Sequence, residues 1–584
     1  MYKFTQYLRN TKSIHSARNF STITLPKNSN QARGLGEYAI EFMKQQNKKI
    51  DDEVYQRVQL FHTDSVLCGI SAIAMRTNSP NILRDEAINL YSVNPDKKTK
   101  DSQHFLSKCF GSKLWVHAEK AIVANVSAVR EWDSNGTVFG YDKNLEGHNA
   151  GEFGHNDYYP VVIAACHNNP AYSGMDALKG MILLDEIRGR LCEVFSLKNH
   201  KIDHVLHGAI ASAVTYGAMI GASVDQIESA VGMVVSHYTP WRAIRAGKQL
   251  SDSKGASAAL STEVAIMSVH RAMRGFLGPK DIFRNPESLF RQFEPTESNE
   301  FSPFELVLGT KGSDFSVMGM HFKLGLYEHQ SAGAIQAVLD LLKQDAQSIF
   351  QDRSHEGIEK IQITAYEPAF SIIGDQAKRN PKTRQSADHS MVYIVASVLR
   401  KALNKFDKVL EVQNSQDDLW KTLMLKPMDY GYTALQNEVT RAIMNKIEFV
   451  HGGPEYDQNY PDGIPTSVQI TCKNGKVLDS GMVLYPGGHA RNTNIALHEV
   501  LQHKFKNMGV MALNKNDLIR FKVQLENIGE MTEEDLQDIY DCNIKFSEDP
   551  IDSAPHDPKN SNEIDKEELA AADASDKQSG EAKQ

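Results

Sequence analysis

The sequence predicts a mainly α protein in which a large helical domain is accompanied by a smaller α+β unit. Three observations carry that prediction. Over residues 36–276, segments such as "DSVLCGISAIAM", "MDALKGMILLDEIRGRLCEVF" and "VDQIESAVGMVV" repeat apolar side chains at three-and-four spacing, the period of a helix with a buried face. Beyond residue 312, "IEKIQITAY" alternates as strands do, and "TSVQITCKNGKVLDSGMVLYP" is two alternating runs joined by Asn474-Gly475, a hairpin signal. At 584 residues the chain is too long for one small domain, and 41% hydrophobic content supplies a sizeable core.

Taken in order, residues 1–25 carry Lys3, Arg9, Lys12 and Arg18 among hydroxyl residues, with no acid before Glu37. That is the composition of a mitochondrial transit peptide, with "ARNFS" placing a cut near Phe20 or Ser21, so the matrix is the expected compartment. A linker over residues 26–36 leads into the helical domain, residues 36–311. Its helices are rich in Ala, Gly and Ser, which lets their axes approach closely. "HGAIASAVTYGAMIGAS" is too short for a membrane span and carries His207, Ser212, Thr215 and Tyr216, so a buried helix is expected. Asp225 stands near the start of another helix, where a carboxylate complements free N–H groups. Residues 279–303 read as a second linker. The α+β unit spans residues 312–488 and includes the helices "HQSAGAIQAVLDLLKQD" and "SADHSMVYIVASVLRKAL". Residues 489–545 return to helix, and residues 546–584 are acidic, rich in Pro, Ser and Ala, and expected to be disordered.

Composition narrows the function. The net charge of −9 and the lack of a large basic patch or zinc-finger spacing give nothing that favours nucleic acid as a partner, and none is expected. The six cysteines are scattered without a C-x-x-C pair, which suits a reducing compartment and argues against a cysteine-bound metal. Phosphate-cradling loops and nucleophile elbows are absent. His204 and His207 open a helix, but no carboxylate pattern supports a metal there, so none is expected.

The first suspect for a site is residues 130–160, "REWDSNGTVFGYDKNLEGHNAGEFGHNDYYP", a long acid-, glycine- and imidazole-bearing loop between two apolar helices. It holds Asp133, Thr137, His148, His155 and Asp157. A second constellation is cationic: Arg242, Arg245, Lys248 and Lys254, then Lys323 and His329, then Asp388, His389 and Tyr393, then His489 and Arg491. Any one of these alone reads as a solvated charge or a satisfied polar residue. Repeated His and Lys at the openings of buried helices suit a pocket for a small polycarboxylate, with groups able to move protons.

The order of these motifs resembles the MmgE/PrpD family, which contains 2-methylcitrate dehydratase and cis-aconitate decarboxylase. "WDSNGT…EFGHND" is similar to D-x-x-D-T followed by E-W-G-H-P. "IDHVLHGAIASAV", "WRAIRAGKQLSDSKGASAALSTEVA", "MHFKLGLYEHQSAGAIQAV", "ADHSMVYIVA" and "VLYPGGHARN" follow in the family's order, from about Glu37 to Met531. The resemblance implies a helical domain built from the N-terminal half and the C-terminal helices, a smaller α+β lid inserted between them, a site in the cleft, a homodimer and no organic cofactor. It implies a pocket of Asp133, Thr137, His155, His204, Lys254, Lys323, His329 and Tyr393, to which the cation pattern adds Arg242. It also implies the reaction: a small tricarboxylate substrate, 2-methylcitrate, dehydrated to 2-methylaconitate in propionate catabolism. In that reading Lys254 and Lys323 hold carboxylates, His155 and His204 transfer protons, Asp133 orients a histidine and Tyr393 donates to substrate, while Thr137, His329 and Arg242 bind it. Alternatives are a decarboxylase of cis-aconitate and an inactive family member serving as a binding protein. Four departures stand out: Gly136 replaces the second acid, Asn156 replaces a proline, the loop between Thr137 and Glu152 is longer, and "LGLYEH" lacks a proline.

Overall fold

The computed structural model describes residues 21–45, 49–94, 105–245 and 249–553. The protein is mainly α, as expected. Its largest layer is built from helices α1 (Gln31–Lys44), α2 (Asp52–Ala74), α3 (Asn78–Tyr91), α4 (Ala118–Arg130), α5 (Tyr159–Asn168), α6 (Gly174–Val194), α7 (Val205–Met219), α8 (Val224–His237) and α9 (Asp252–Met273). Helices α4, α7 and α8 pack on α9, α7 packs on α8, and α2 packs on α4 and α6. Small side chains make this possible. On α7, a Cβ at Gly208 would sit 2.0 Å from the Tyr158 ring, so only glycine allows that approach. The apolar "HGAIASAVTYGAM" stretch is this buried α7. Among the described residues no single helix is long and apolar enough to cross a membrane.

Both expected linkers are packed structure. Strand β1 (Ser21–Leu25) pairs antiparallel with β6 (Leu306–Lys311), fastening the two ends of the helical layer together. Asn30 caps α1 by accepting from the Arg33 N–H, so the helix begins inside the segment read as a linker. Residues 279–303 carry Phe283 and Phe290, fully buried with Phe195 at centroid separations of 4.9 Å along the chain of rings. Aromatic burial outweighs the local Pro and Ser content that suggested a linker. "KLWVHAEKAIVANVSAV" also divides: β3 (Trp115–His117) pairs with β2 (Leu106–Lys108) before α4 begins.

The α+β unit contains a four-stranded sheet, β7 (Ile358–Ala365), β8 (Ile447–His451), β9 (Thr466–Cys472) and β10 (Val477–Asp479), in the order β10-β9-β7-β8. β7 and β8 are parallel and the other pairs antiparallel. Asn474-Gly475 makes the expected hairpin turn, with Gly475 at φ +82°, a left-handed conformation that glycine adopts freely. The long helix Ala332–Ile349 packs on β9, and Met391–Asn404 packs on Ala332–Ile349.

The chain then returns to the helical layer. Lys504, on helix Leu497–Ala512, is fully buried; its Nζ lies 2.7 Å from Asp64 on α2 and donates to the Ser134 carbonyl at 2.5 Å. This contact braces the loop that begins the candidate site. The expected disorder of residues 546–584 is corrected at its start. Ser547 donates to the Ala74 carbonyl at 2.8 Å, Ile551 is buried, and Asp552 pairs with Arg384 at 3.0 Å. One apolar anchor and one ion pair suffice to order an otherwise polar segment. The rest of the tail, Lys248 and residues 1–20 lie outside the described residues; residues 21–25, the end of the leader expected over residues 1–25, form β1 instead.

Candidate active site

Helix α4 ends at Arg130, and the chain turns through Asp133 at φ +50°, a left-handed conformation in which Asp is tolerated. The turn drives the Asp133 carboxylate into the interior, where it is fully buried. Arg130 lies 2.7 Å away, the His389 Nε2 3.0 Å, the Lys254 Nζ 3.6 Å, and Lys323 donates to it directly. Burial opposes ionisation there, but Arg130, Lys323, His389 and Lys254 outweigh it and hold the carboxyl well below its ordinary range. Burial lowers both lysines from their ordinary value, against the pull of Asp388 and Asp133 on Lys254 and of Asp133 on Lys323. Asp388 accepts from His389 at 2.6 Å and faces Lys254 at 3.4 Å. Burial and the neighbouring Asp133 raise it to about 7.

The loop after Asp133 is clamped rather than free. Strand β4 (Thr137–Phe139) pairs with β5 (Phe153–His155), setting Thr137 opposite His155. Thr137 Oγ1 donates to the Gly154 carbonyl at 2.9 Å, and its backbone exchanges two hydrogen bonds with His321. The lengthened part between the strands is tied down by a buried charge network in which His148 meets Glu193 at 2.7 Å and Arg190 meets Asp142 at 2.7 Å. His148 is therefore a structural residue of the insert.

His155 on β5 faces His204 at the opening of α7, with ring centroids 5.1 Å apart. The turn Arg242–Arg245 lies beside them. Arg245 binds Asp203 and reaches His204 Nε2 at 3.2 Å, whereas the buried Nη1 of Arg242 has no hydrogen-bond partner. Burial, with nearby arginine charge, pushes His155 and His204 well below the ordinary imidazole value, so both are neutral at physiological pH.

These side chains line one narrow cavity of about 30 Å³. Thr137, His155, His204, Arg242, Arg245 and His389 supply its polar wall, together with Glu328 and Gln330. Phe139, Phe153 and Ile372 supply the apolar wall. Asp133, Lys254 and Lys323 stand one side chain behind it, reached through His389. His329 is fully buried, its ring 5.7 Å from that of Phe139 and 5.1 Å from that of His321, with neither ring nitrogen paired. Tyr393 is elsewhere: its hydroxyl donates to the Asp429 carbonyl at 2.9 Å and its ring packs against Tyr430. The predicted residues thus form an inner charge cluster, a cavity wall, one buried histidine near Phe139, and one tyrosine outside.

Arg245, Asp388 and His389, named in the second constellation but not in the implied pocket, join the cluster, and so does Glu328. The signal for three of them was present in "WRAIR" and "ADHS"; nothing local marked Glu328 as a cavity residue. Asp133, Asp388 and His389 also bring potential ligand atoms within 4.8 Å of one another. Arg130, Lys254 and Lys323 already neutralise these carboxylates, so the donor set does not suit a divalent cation. A roomier cavity between Phe105, His270, Arg274 and Glu533 gathers no comparable cluster and adjoins residues 95–104, outside those described.

The glycine that replaces the second acid has a steric cause. A Cβ at Gly136 would lie 2.5 Å from the Phe61 ring, which stacks on Phe322 at a centroid distance of 3.8 Å. The stack occupies the space that a side chain would need.

Residues 38–302 match the MmgE/PrpD N-terminal domain, and residues 327–526 match the MmgE/PrpD C-terminal domain. The chain is similar to the 2-methylcitrate dehydratase of Escherichia coli K12, 24% identical over 335 residues, covering 56% of this chain and 62% of that protein. It is also similar to the mitochondrial 2-methylcitrate dehydratase of Yarrowia lipolytica, 23% identical over 341 residues, covering 56% of this chain and 58% of that protein. The aligned region therefore spans about three-fifths of the length of these relatives. With both of its halves matched, the chain belongs to the MmgE/PrpD family.

Proposed function

We propose that the protein is a hydro-lyase that removes water from a hydroxy-tricarboxylate, with 2-methylcitrate as the favoured substrate and 2-methylaconitate as the product, in propionate catabolism. The observation that carries this reading is one cavity that sets neutral His155 and His204 beside Arg242 and Arg245. Guanidinium groups match carboxylates in geometry and charge, and the unpaired Arg242 Nη1 offers a ready donor. A neutral imidazole is able to take the carbon-bound proton. Charge that develops on the adjacent carboxylate is stabilised by Arg242 and Arg245, and at longer range by Lys254 and Lys323. Asp133 and Asp388 hold His389 and Lys254 in place, and Thr137 fixes the strand that carries His155. Tyr393 has no part in this scheme, and His329 is given no step in it. The chemistry uses acids and bases of the chain and no organic cofactor.

The α+β unit serves as a lid, since Ile372 from its helix Glu367–Ile372 closes the cavity wall. A homodimer in the mitochondrial matrix completes the proposal. The basic, acid-free start of the sequence and the mitochondrial relative support that location. The test is direct: incubate the purified protein with 2-methylcitrate, citrate or cis-aconitate, and follow unsaturated-acid absorbance and carbon dioxide. Absorbance from 2-methylcitrate is expected. Carbon dioxide from cis-aconitate would instead indicate a decarboxylase, and silence from a folded protein would refute catalysis.

A further inference from the structure

Eliminating water from a saturated acid needs a proton donor for the departing hydroxyl as well as a base. The neutral histidines of the cavity supply bases, and Arg242 and Arg245 do not give up protons. One buried carboxyl lines the same cavity and has no cation. Glu328 is 8% exposed, and the hydrogen bonds it accepts both come from Gln330, from the backbone N–H at 2.9 Å and the side-chain amide at 3.3 Å. Among the described residues no ammonium or guanidinium group pairs with it. Asp133, Asp203, Asp388 and Glu131 are all ion-paired. The backbone fixes its place: the Glu328 N–H donates to the Asp388 carbonyl at 2.8 Å, joining it to the turn that bears His389.

We propose that Glu328 is the general acid that protonates the leaving hydroxyl, an assignment that rests on the hydro-lyase reading above. In the step, a neutral cavity histidine removes the carbon-bound proton, and that C–H electron pair becomes the new C=C bond. The C–O bond breaks with its electrons on oxygen, and Glu328 gives that oxygen its proton, releasing water. The imidazolium then returns its proton to the Glu328 carboxylate through solvent, which restores both groups. A protonated Glu328 at working pH fits its surroundings. Burial, with the nearby Asp133, raises it to about 7, although Lys323 pulls the other way. The remaining groups that face it are Lys378, Tyr366 and Tyr460, with His155, His204, His389, Arg242 and Arg245 around the cavity.

The test compares wild type, Glu328→Gln and Glu328→Asp on the hydroxy acid and on its analogue with fluorine in place of the departing hydroxyl. Fluoride leaves without a proton. Glu328→Gln is expected to lose about 100-fold or more in kcat on the hydroxy acid with KM little changed. It should also lose the decline in rate above about pH 7, while fluoride release stays near the wild-type rate and Glu328→Asp recovers part of the loss. Equal losses on both substrates, or an unchanged Glu328→Gln, would overturn the assignment while leaving the hydro-lyase reading standing. A wild-type protein silent on every acid would remove the reading and the assignment with it.

Discussion

Asp133 is the hinge of the electrostatic argument, and Asp133→Asn tests it cleanly. Asparagine also tolerates a left-handed backbone, so the φ of +50° costs nothing new. The amide nearly matches the carboxylate in size, so the perturbation is the loss of one charge. That charge faces Arg130 at 2.7 Å and Lys254 at 3.6 Å, and it binds Lys323 directly. At an effective dielectric of about 20, the 3.6 Å pair alone is worth about 4–5 kcal/mol before desolvation. Removing one partner of a buried pair typically costs about 3–5 kcal/mol, because the other charge stays buried and unpaired. We expect a destabilisation in that range, read as a fall of roughly 2–4 °C in Tm for a chain of this length. The loss should depend on pH in a definite direction. Lys254 and Lys323 are already depressed from 10.5, and without Asp133 they fall further. A lysine depressed in the folded state leaves the unfolded chain holding more protons, so stability rises with pH below the unfolded value. The deficit of Asp133→Asn should therefore be largest near neutral pH and shrink as pH approaches 10. A calorimetric series from pH 6 to pH 10 measures it; a deficit of under about 1 kcal/mol, or one that grows with pH, would refute the reasoning.

Other outcomes follow from the same geometry. Gly136→Asp, which restores the acid of the family pattern, should destabilise by about 2–4 kcal/mol, because the new side chain must displace Phe61 and bury an unpaired carboxylate; a melt unchanged from wild type would contradict the steric account. Arg242→Ala should leave the melt nearly unchanged and raise KM about tenfold or more, since its Nη1 binds nothing in the free protein. Arg245→Ala should lower both stability and kcat, because it strips the partner from buried Asp203 and frees His204. His204→Ala should cut turnover by about 100-fold or more in a protein that still folds, and steady-state kinetics with circular dichroism would show it.

Much of this architecture was legible locally. The three-and-four spacing found the helices, Asn474-Gly475 found the hairpin, and the glycine- and imidazole-bearing loop after Arg130 pointed at the cavity. What escaped depends on contacts between distant segments. Residues 279–303 look like a linker until Phe290 meets Phe195, and Ile551 looks like part of a tail until it reaches the helix end at Met75. Glu328 is unremarkable in sequence; only the fold shows that it lines the cavity without a cation. Tyr393 shows the converse, since a motif places it one helical turn from His389 while its hydroxyl points to Asp429.

The central claim is that Arg242, Arg245, His155 and His204 form one receptor for a polycarboxylate. Calorimetric titration with tricarballylate, which has three carboxylates and no hydroxyl to lose, isolates that claim from catalysis. The account predicts saturable binding to wild type, about tenfold or more weaker in Arg242→Ala and weaker again in the double variant with Arg245→Ala. No binding to wild type, or equal affinity in all three proteins, would contradict it.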